Sequence, residues 1–209
     1  TNSSGTVRLV GVRHDPLASY VVLALPLSGG STNSLTDSPT TGQDFSKLIN
    51  GSTTEKQTDN VGDIQSVVAD PNFYGSSVYF QNTNSQQMNV RELNSGSAGS
   101  NDFEFTGDYC IEMYVNPRDF GAVDGSLWVT SNGSQYHAFN LDPGNNFNIY
   151  FNSGSATWQP SVSNLDYSNW NHIALTREGS TVRLFVNGLL AQDTTSSGTH
   201  GYGQGSLAR

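Results

Sequence analysis

The chain has 209 residues and a single cysteine, Cys110. One thiol makes neither an intrachain disulfide nor a cysteine-cluster metal site, so stability must come from packing. Basic residues are scarce as well: nine Lys and Arg against 18 Asp and Glu give a formal net charge of −9. Nucleic acid is bound by a basic face that displaces counterions, and no nucleic-acid partner is expected here. No apolar run approaches the roughly 18 residues of a membrane span. The longest, Tyr20 to Leu27, is interrupted by Pro26, and no membrane insertion is expected. No Gly-free segment of about 12 residues shows a 3.6-residue apolar period, which argues against a helical fold, and no repeat occurs at solenoid or propeller spacing.

What the chain has is turn chemistry and strand pattern. Ser, Thr, Asn and Gly supply 89 residues, a turn-rich composition. The 34% hydrophobic residues, with 11% aromatic, still suffice for a core at this length. Residues 1–19 read as a connector or a strand from a preceding module, and 20–209 as one domain. Tyr20 to Leu27 reads as a buried strand. Residues 28–65 read as loop, with short strands near Phe45 to Ile49 and Val61 to Gln65. Ser77 to Phe80 is extended, and Asp102 to Val115 reads as a strand with Tyr109, Ile111, Met113 and Val115 at period two.

Leu127 to Val129, Tyr136 to Leu141, Phe147 to Phe151, Trp170 to Thr176 and Thr181 to Val186 follow, separated by Gly-containing turns. Strands spaced by about 8–12 residues with turns between them indicate an antiparallel sandwich or barrel. Asn187-Gly188, between Thr181–Val186 and Leu189–Gln192, supplies two residues for a type I′ hairpin turn.

The segments 21–27, Asp37-Ser38, Tyr74 to Phe80, Phe105 to Val115, Trp170 to Gly179 and Arg183 to Gly188 together resemble the laminin-G-like branch of the concanavalin A-like lectin and glucanase superfamily, over Tyr20 to Arg209. The resemblance implies an all-β, antiparallel jelly-roll sandwich of two curved sheets whose loop rim binds sugars or proteins. Such domains continue past a strand like Ser206-Leu207-Ala208 into a final strand, so the sandwich is expected to lack its last strand.

The hydrolases of this superfamily carry Glu-x-Asp-x-x-Glu or a close variant on one strand, because retaining hydrolysis needs two carboxyls about 5–5.5 Å apart. Glu55, Glu92, Glu104, Glu112 and Glu178 form no such motif, and Glu112 reads as a strand residue facing solvent. His14, His137, His172 and His200 show no paired metal-ligand spacing, and His172 reads as a packing residue. No nucleophile elbow or Cys–His arrangement surrounds Cys110. The expectation is a protein that is not an enzyme.

No cofactor is expected. The resemblance admits calcium at the rim, with Asp142 and Asp166 as candidate ligands, against a plain turn role for each. Sugar recognition needs aromatic surface and planar amides or carboxylates. Tyr136, Asp142, Asn145, Asn146, Trp158 and Tyr167 are the candidate ligand-binding residues, with Tyr202, Gln135, Asn152 and Gln159 nearby in sequence; Trp158 reads equally well as a core plug.

The sequence, a disulfide-free, acidic, Ser/Thr/Asn/Gly-rich jelly roll with a connector at the front, resembles laminin-G-like domains in virion proteins of marine bacteriophages. That resemblance implies a structural or adhesion module of a tail fibre, capsid fibre or head-decorating protein, assembled in the host cytoplasm. Its partners would be other virion subunits in an oligomeric assembly, or host surface glycans. The competing readings are a secreted, extracellular, calcium-dependent bacterial lectin or adhesin, and a polysaccharide-degrading enzyme.

Overall fold

A computed structural model of the chain describes residues 56–61, 65–67, 77–80, 87–92, 103–117, 125–131, 135–142, 146–153 and 157–201, with Tyr20 and Leu23. The elements are β1 (Lys56–Val61), β2 (Gln65–Val67), β3 (Ser77–Tyr79), β4 (Gln87–Glu92), β5 (Tyr109–Val115), β6 (Gly125–Ser131), β7 (Tyr136–Asp142), β8 (Asn146–Ser153), β9 (Asn171–Glu178), β10 (Thr181–Val186) and β11 (Leu189–Thr195). All pairings are antiparallel: a four-stranded sheet ordered β11-β10-β9-β5, a three-stranded sheet β6-β7-β8, and two ribbons, β1-β4 and β2-β3. The fold is all-β, and of the sandwich and the barrel that the strand spacing left open it is the sandwich that the family resemblance implies.

Period-two alternation explains why the two larger sheets pack together. Ile173, Leu175, Val182, Leu184 and Val186 from one sheet and Phe139, Leu141, Phe147 and Ile149 from the other are fully buried in one cluster. Full burial of each such side chain is worth about 1.5–3 kcal/mol. Tyr109, Met113 and Val115 pack against this core, while Cys110, Glu112 and Tyr114 alternate outward. Trp128 also packs on a smaller cluster of Val90, Phe103, Leu23 and Phe105, meeting Phe103 edge-on at 5.0 Å. Burial pushes the exposed-edge thiol of Cys110 up to about 11, with the Glu112 carboxylate adding to it, so this thiol stays protonated and poorly nucleophilic at neutral pH.

The β10–β11 hairpin turns at Asn187 (φ 52°) and Gly188 (φ 78°), both left-handed, as the Asn-Gly pair requires. Two expectations need correction. Lys56–Val61 is a strand and not loop: its polar sequence shows no apolar alternation, and it is held by the ladder with β4. The strand expected from Asp102 begins only at Tyr109, because Thr106-Gly107 bends the chain and Phe105 pairs instead with His200. The expected opening strand is described only at Tyr20, which is exposed, and Leu23, while residues 45–49 lie outside the described residues.

After β11 the chain crosses from one sheet to the other. Gly201 (φ 80°) donates its amide to Asn152 Oδ1 at 2.9 Å, and a Cβ at Gly201 would be driven into the Phe103 carbonyl oxygen. Gly201→Ala therefore combines a backbone strain with a clash, and is expected to destabilise by roughly 1–3 kcal/mol or more. Gly107→Ala, whose Cβ would meet nothing within 4 Å, is expected to stay within about 0.5 kcal/mol. Denaturant midpoints of the two variants check the contrast.

Candidate functional site

The strands that build the core also carry a second, polar face. Along β7, His137, Phe139 and Leu141 point inward, so Tyr136, Ala138, Asn140 and Asp142 point the other way; along β8, Asn146, Asn148 and Tyr150 oppose Phe147 and Ile149, and the register shift beyond Tyr150 turns Asn152 toward Gly201. Register sets these residues side by side: Ala138 faces Tyr150, Asn140 faces Asn148, and Asp142 faces Asn146. The Tyr136 and Tyr150 rings lie 4.9 Å apart at 50°. The result is a row about 20 Å long at 3.3 Å per residue, running from an aromatic pair through an amide pair to an acid–amide pair. Val129 and Ala138, both buried, form its apolar floor, while Tyr136, Asn140, Asp142, Asn146 and Tyr150 are half-buried.

Residues 157–161 lie along the free edge of β8 and add side chains to the row. Ile149 and Trp158 exchange backbone hydrogen bonds, and the Phe147 amide donates to the Pro160 carbonyl at 3.1 Å. Gln159 Nε2 then donates to Asn148 Oδ1 at 2.7 Å, Asn148 Nδ2 reaches Asp142 Oδ2 at 3.4 Å, and Ser161 Oγ donates to Asn146 Oδ1 at 2.8 Å. These links fix the amide planes, and Asn140 Oδ1 is buried without a hydrogen-bond partner.

The turn end of the row is braced from below. Tyr167 packs on the main core and donates its hydroxyl to the Asp142 carbonyl at 3.0 Å. Its loop is tied by Asn171, fully buried, whose Nδ2 donates to the carbonyls of Asp166 and Asn169 and whose Oδ1 accepts from the Asp166 amide and Asn187 Nδ2.

Of the residues named from the sequence, Asp142, Asn146 and Tyr167 come together at the turn end and Tyr136 stands at the other end of the row. Trp158 packs on the main core opposite Ile149, on the far side of β8. Asn145 and Tyr202 lie outside the described residues. Asn140, Asn148 and Tyr150 were not among the named candidates, although the strict polar-apolar alternation of 146–152 is a signal that could have found them.

Neither aspartate gathers a calcium shell among the described residues. The Asp166 carboxylate accepts from the Ser168 amide at 2.8 Å and from Asn169 Nδ2 at 2.6 Å, and these hydrogen bonds, the Asn169 one foremost, hold it below the usual carboxylate range. Asp142 accepts from an amide nitrogen too. A calcium ion takes about six to eight oxygens, whereas both carboxylates are met by N–H donors. Among the described residues no group of three or more His, Cys, Asp and Glu could hold a metal. Two histidines distant in sequence, His137 and His200, do meet inside the sandwich, with rings 5.6 Å apart. Asp142 is the one carboxylate of the row among the described residues; Glu112 lies on the outer face of the other sheet, 3.5 Å from His172.

Comparison with known proteins agrees with this architecture. A laminin G-type model of the concanavalin A-like lectin/glucanases superfamily matches residues 92–208, more than half of the chain. No curated protein sequence matches. Among solved structures, a Bacillus licheniformis beta-glucanase is similar at 12% identity and TM-score 0.41, covering 88% of this chain and 81% of that one. A native glycosidic hydrolase is similar at 10% identity and TM-score 0.36, covering 73% and 63%.

Replacing Asn171 by Ala leaves the Asp166 amide and two loop carbonyls without their partner. A loss of roughly 2–4 kcal/mol is expected from these unsatisfied groups, read from chemical unfolding.

Proposed function

The chain belongs to the concanavalin A-like lectin/glucanases superfamily, and from that premise we propose that it is a non-enzymatic carbohydrate-recognition module that binds an oligosaccharide along the outward face of β7 and β8. The observation that carries this reading is the row itself: the Tyr136–Tyr150 pair next to Asn140, Asn148, Asp142 and Asn146 on one rigid pair of strands. Sugar rings offer apolar C–H faces that pack on aromatic rings, and hydroxyls that act as donor and acceptor at once, which amides and a carboxylate match. Strands hold such groups more firmly than loops do, so little ordering is lost on binding.

Recognition is favoured over hydrolysis by the count of acids. Glycoside cleavage uses two carboxyl groups about 5–5.5 Å or 6.5–9.5 Å apart across the bond. The row carries Asp142 alone among the described residues, and that carboxylate already accepts from Asn148. The family match and the fold are compatible with a domain on a virion, the setting the resemblance implies, and with a secreted one. In both settings the module would act by surface contact with glycans.

A glycan array followed by calorimetry with the best oligosaccharide tests the proposal. Tyr150→Ala is expected to weaken binding about tenfold, or 1.4 kcal/mol, with the melting temperature little changed, while Arg183→Ala on the other sheet leaves affinity as it is. Equal affinity of Tyr150→Ala and the parent would refute the site. Release of reducing sugar from the bound oligosaccharide would replace recognition by catalysis, and binding lost to a chelator would restore the calcium-dependent lectin.

A further inference from the structure

The buried histidine pair has no part in the polar row and sits at the other end of the sandwich interior. His200 and His137 are both essentially inaccessible, and their rings stack at 26° against each other and at 16° and 21°, respectively, against Phe151. His200 Nδ1 bonds the Tyr109 hydroxyl at 2.9 Å and Nε2 bonds Ser196 Oγ at 2.8 Å. The Tyr109 hydroxyl lies 3.5 Å from His137 Nε2, and His137 Nδ1 has no partner.

The same residues fasten the chain after β11. Ser196 donates its amide to the Ser180 carbonyl, Phe105 and His200 exchange backbone hydrogen bonds at 2.7 and 3.0 Å, and Gly201 is held by Asn152 of β8. Buried Arg177 adds Nη1 to the Gly198 carbonyl at 2.6 Å and Nε to the Gly179 carbonyl at 2.8 Å. Residues 196–201 therefore bridge the four-stranded sheet and β8, and their inward anchor is the His200 ring.

We propose that residues 196–201 are an acid-sensitive latch: protonation of the stacked His137–His200 pair releases this segment from Tyr109, Phe105 and Asn152 while the β9–β10–β11 ladder stays folded. A second positive charge has nowhere to go in this interior. Among the described residues, the titratable or charged groups facing the pair are Tyr109 from β5 and Arg177 from β9; β6 presents Thr130, opposite His137, and β8 presents Phe151 and Asn152. Burial holds the Tyr109 phenol far above its usual range, so it stays a neutral hydroxyl, and Arg177 is already cationic. The carboxylate at that end of β5, Asp108, is exposed and accepts from the Gly179 amide.

The direction of the effect follows from the same contacts. Burial first, and the neighbouring His200 second, lower His137 from 6.5 to about 3; burial first, and Arg177 second, lower His200 to about 4. Released rings return to ordinary values and bind protons that the latched rings refuse. The latch is thus fully held above about pH 6.5 and weakens as pH falls toward the latched values.

Amide exchange of the whole chain at pH 7 and pH 5, corrected for intrinsic rates, reads the latch directly. Opening at Phe105, His200 and Gly201 is expected to rise at least about tenfold, since one such histidine draws the equilibrium by up to tenfold per pH unit, while Leu175 and Leu184 stay protected. The double variant His137→Phe, His200→Gln is expected to lose this pH dependence. Parallel opening of latch and core, or a double variant with the parent's pH dependence, would overturn the proposal. Imidazole titration of the parent by NMR serves if the variant does not fold: ring pKa values well below 6.5 support the latch, and ordinary values refute it.

Discussion

The alternation of side chains along β7 and β8 is the constraint on which the rest of the molecule depends. Phe139, Leu141, Phe147 and Ile149 are fully buried because they face the other sheet. A slip of one residue in register would exchange them for Asn140, Asp142, Asn146 and Asn148. Each amide taken into that interior without a partner would cost about 2–7 kcal/mol, on top of the lost burial of about 1.5–3 kcal/mol for each apolar side chain. The core therefore fixes the register, and the register in turn composes the polar row. The polar row and the core lie on opposite faces of the same two strands, which is why residues of the row can be changed without emptying the core.

Each end of the sandwich is finished by a different polar device. At the turn end, Asn171 replaces regular backbone pairing for the loop that carries Asp166 and Tyr167, and Tyr167 passes that support to Asp142. At the opposite end, imidazole, phenol and guanidinium groups close the interior where the chain crosses between sheets. Both devices hold backbone where no strand is available to pair with it. They differ in chemistry: the amide of Asn171 is indifferent to pH, whereas the histidines make the crossing segment answer to it.

Much of the architecture was legible in the sequence. Strong apolar alternation marked β5 and β7 to β10, and Asn187-Gly188 marked its turn as one of the few pairs that tolerate two left-handed residues cheaply. The polar strand Lys56–Val61 was not legible, since its extended state comes from pairing with β4 and not from its own side chains. The candidate site was half legible. Turn residues drew attention to Asp142 and Asn146, but recognising Asn140, Asn148 and Tyr150 required asking which way the alternate residues of each strand point. The meeting of His137 with His200, 63 positions later, is a product of sheet packing and leaves no trace in local spacing.

The most direct test of this division between faces is to follow the side-chain amide resonances of Asn140, Asn148 and Gln159 by NMR during titration with an oligosaccharide that the protein binds. The account predicts that these amides shift together with the Tyr136 and Tyr150 ring signals, while the methyl groups of Leu175, Leu184 and Ile173 stay in place. Saturable binding that leaves the amide row unmoved and shifts the outer face of the four-stranded sheet instead would contradict it.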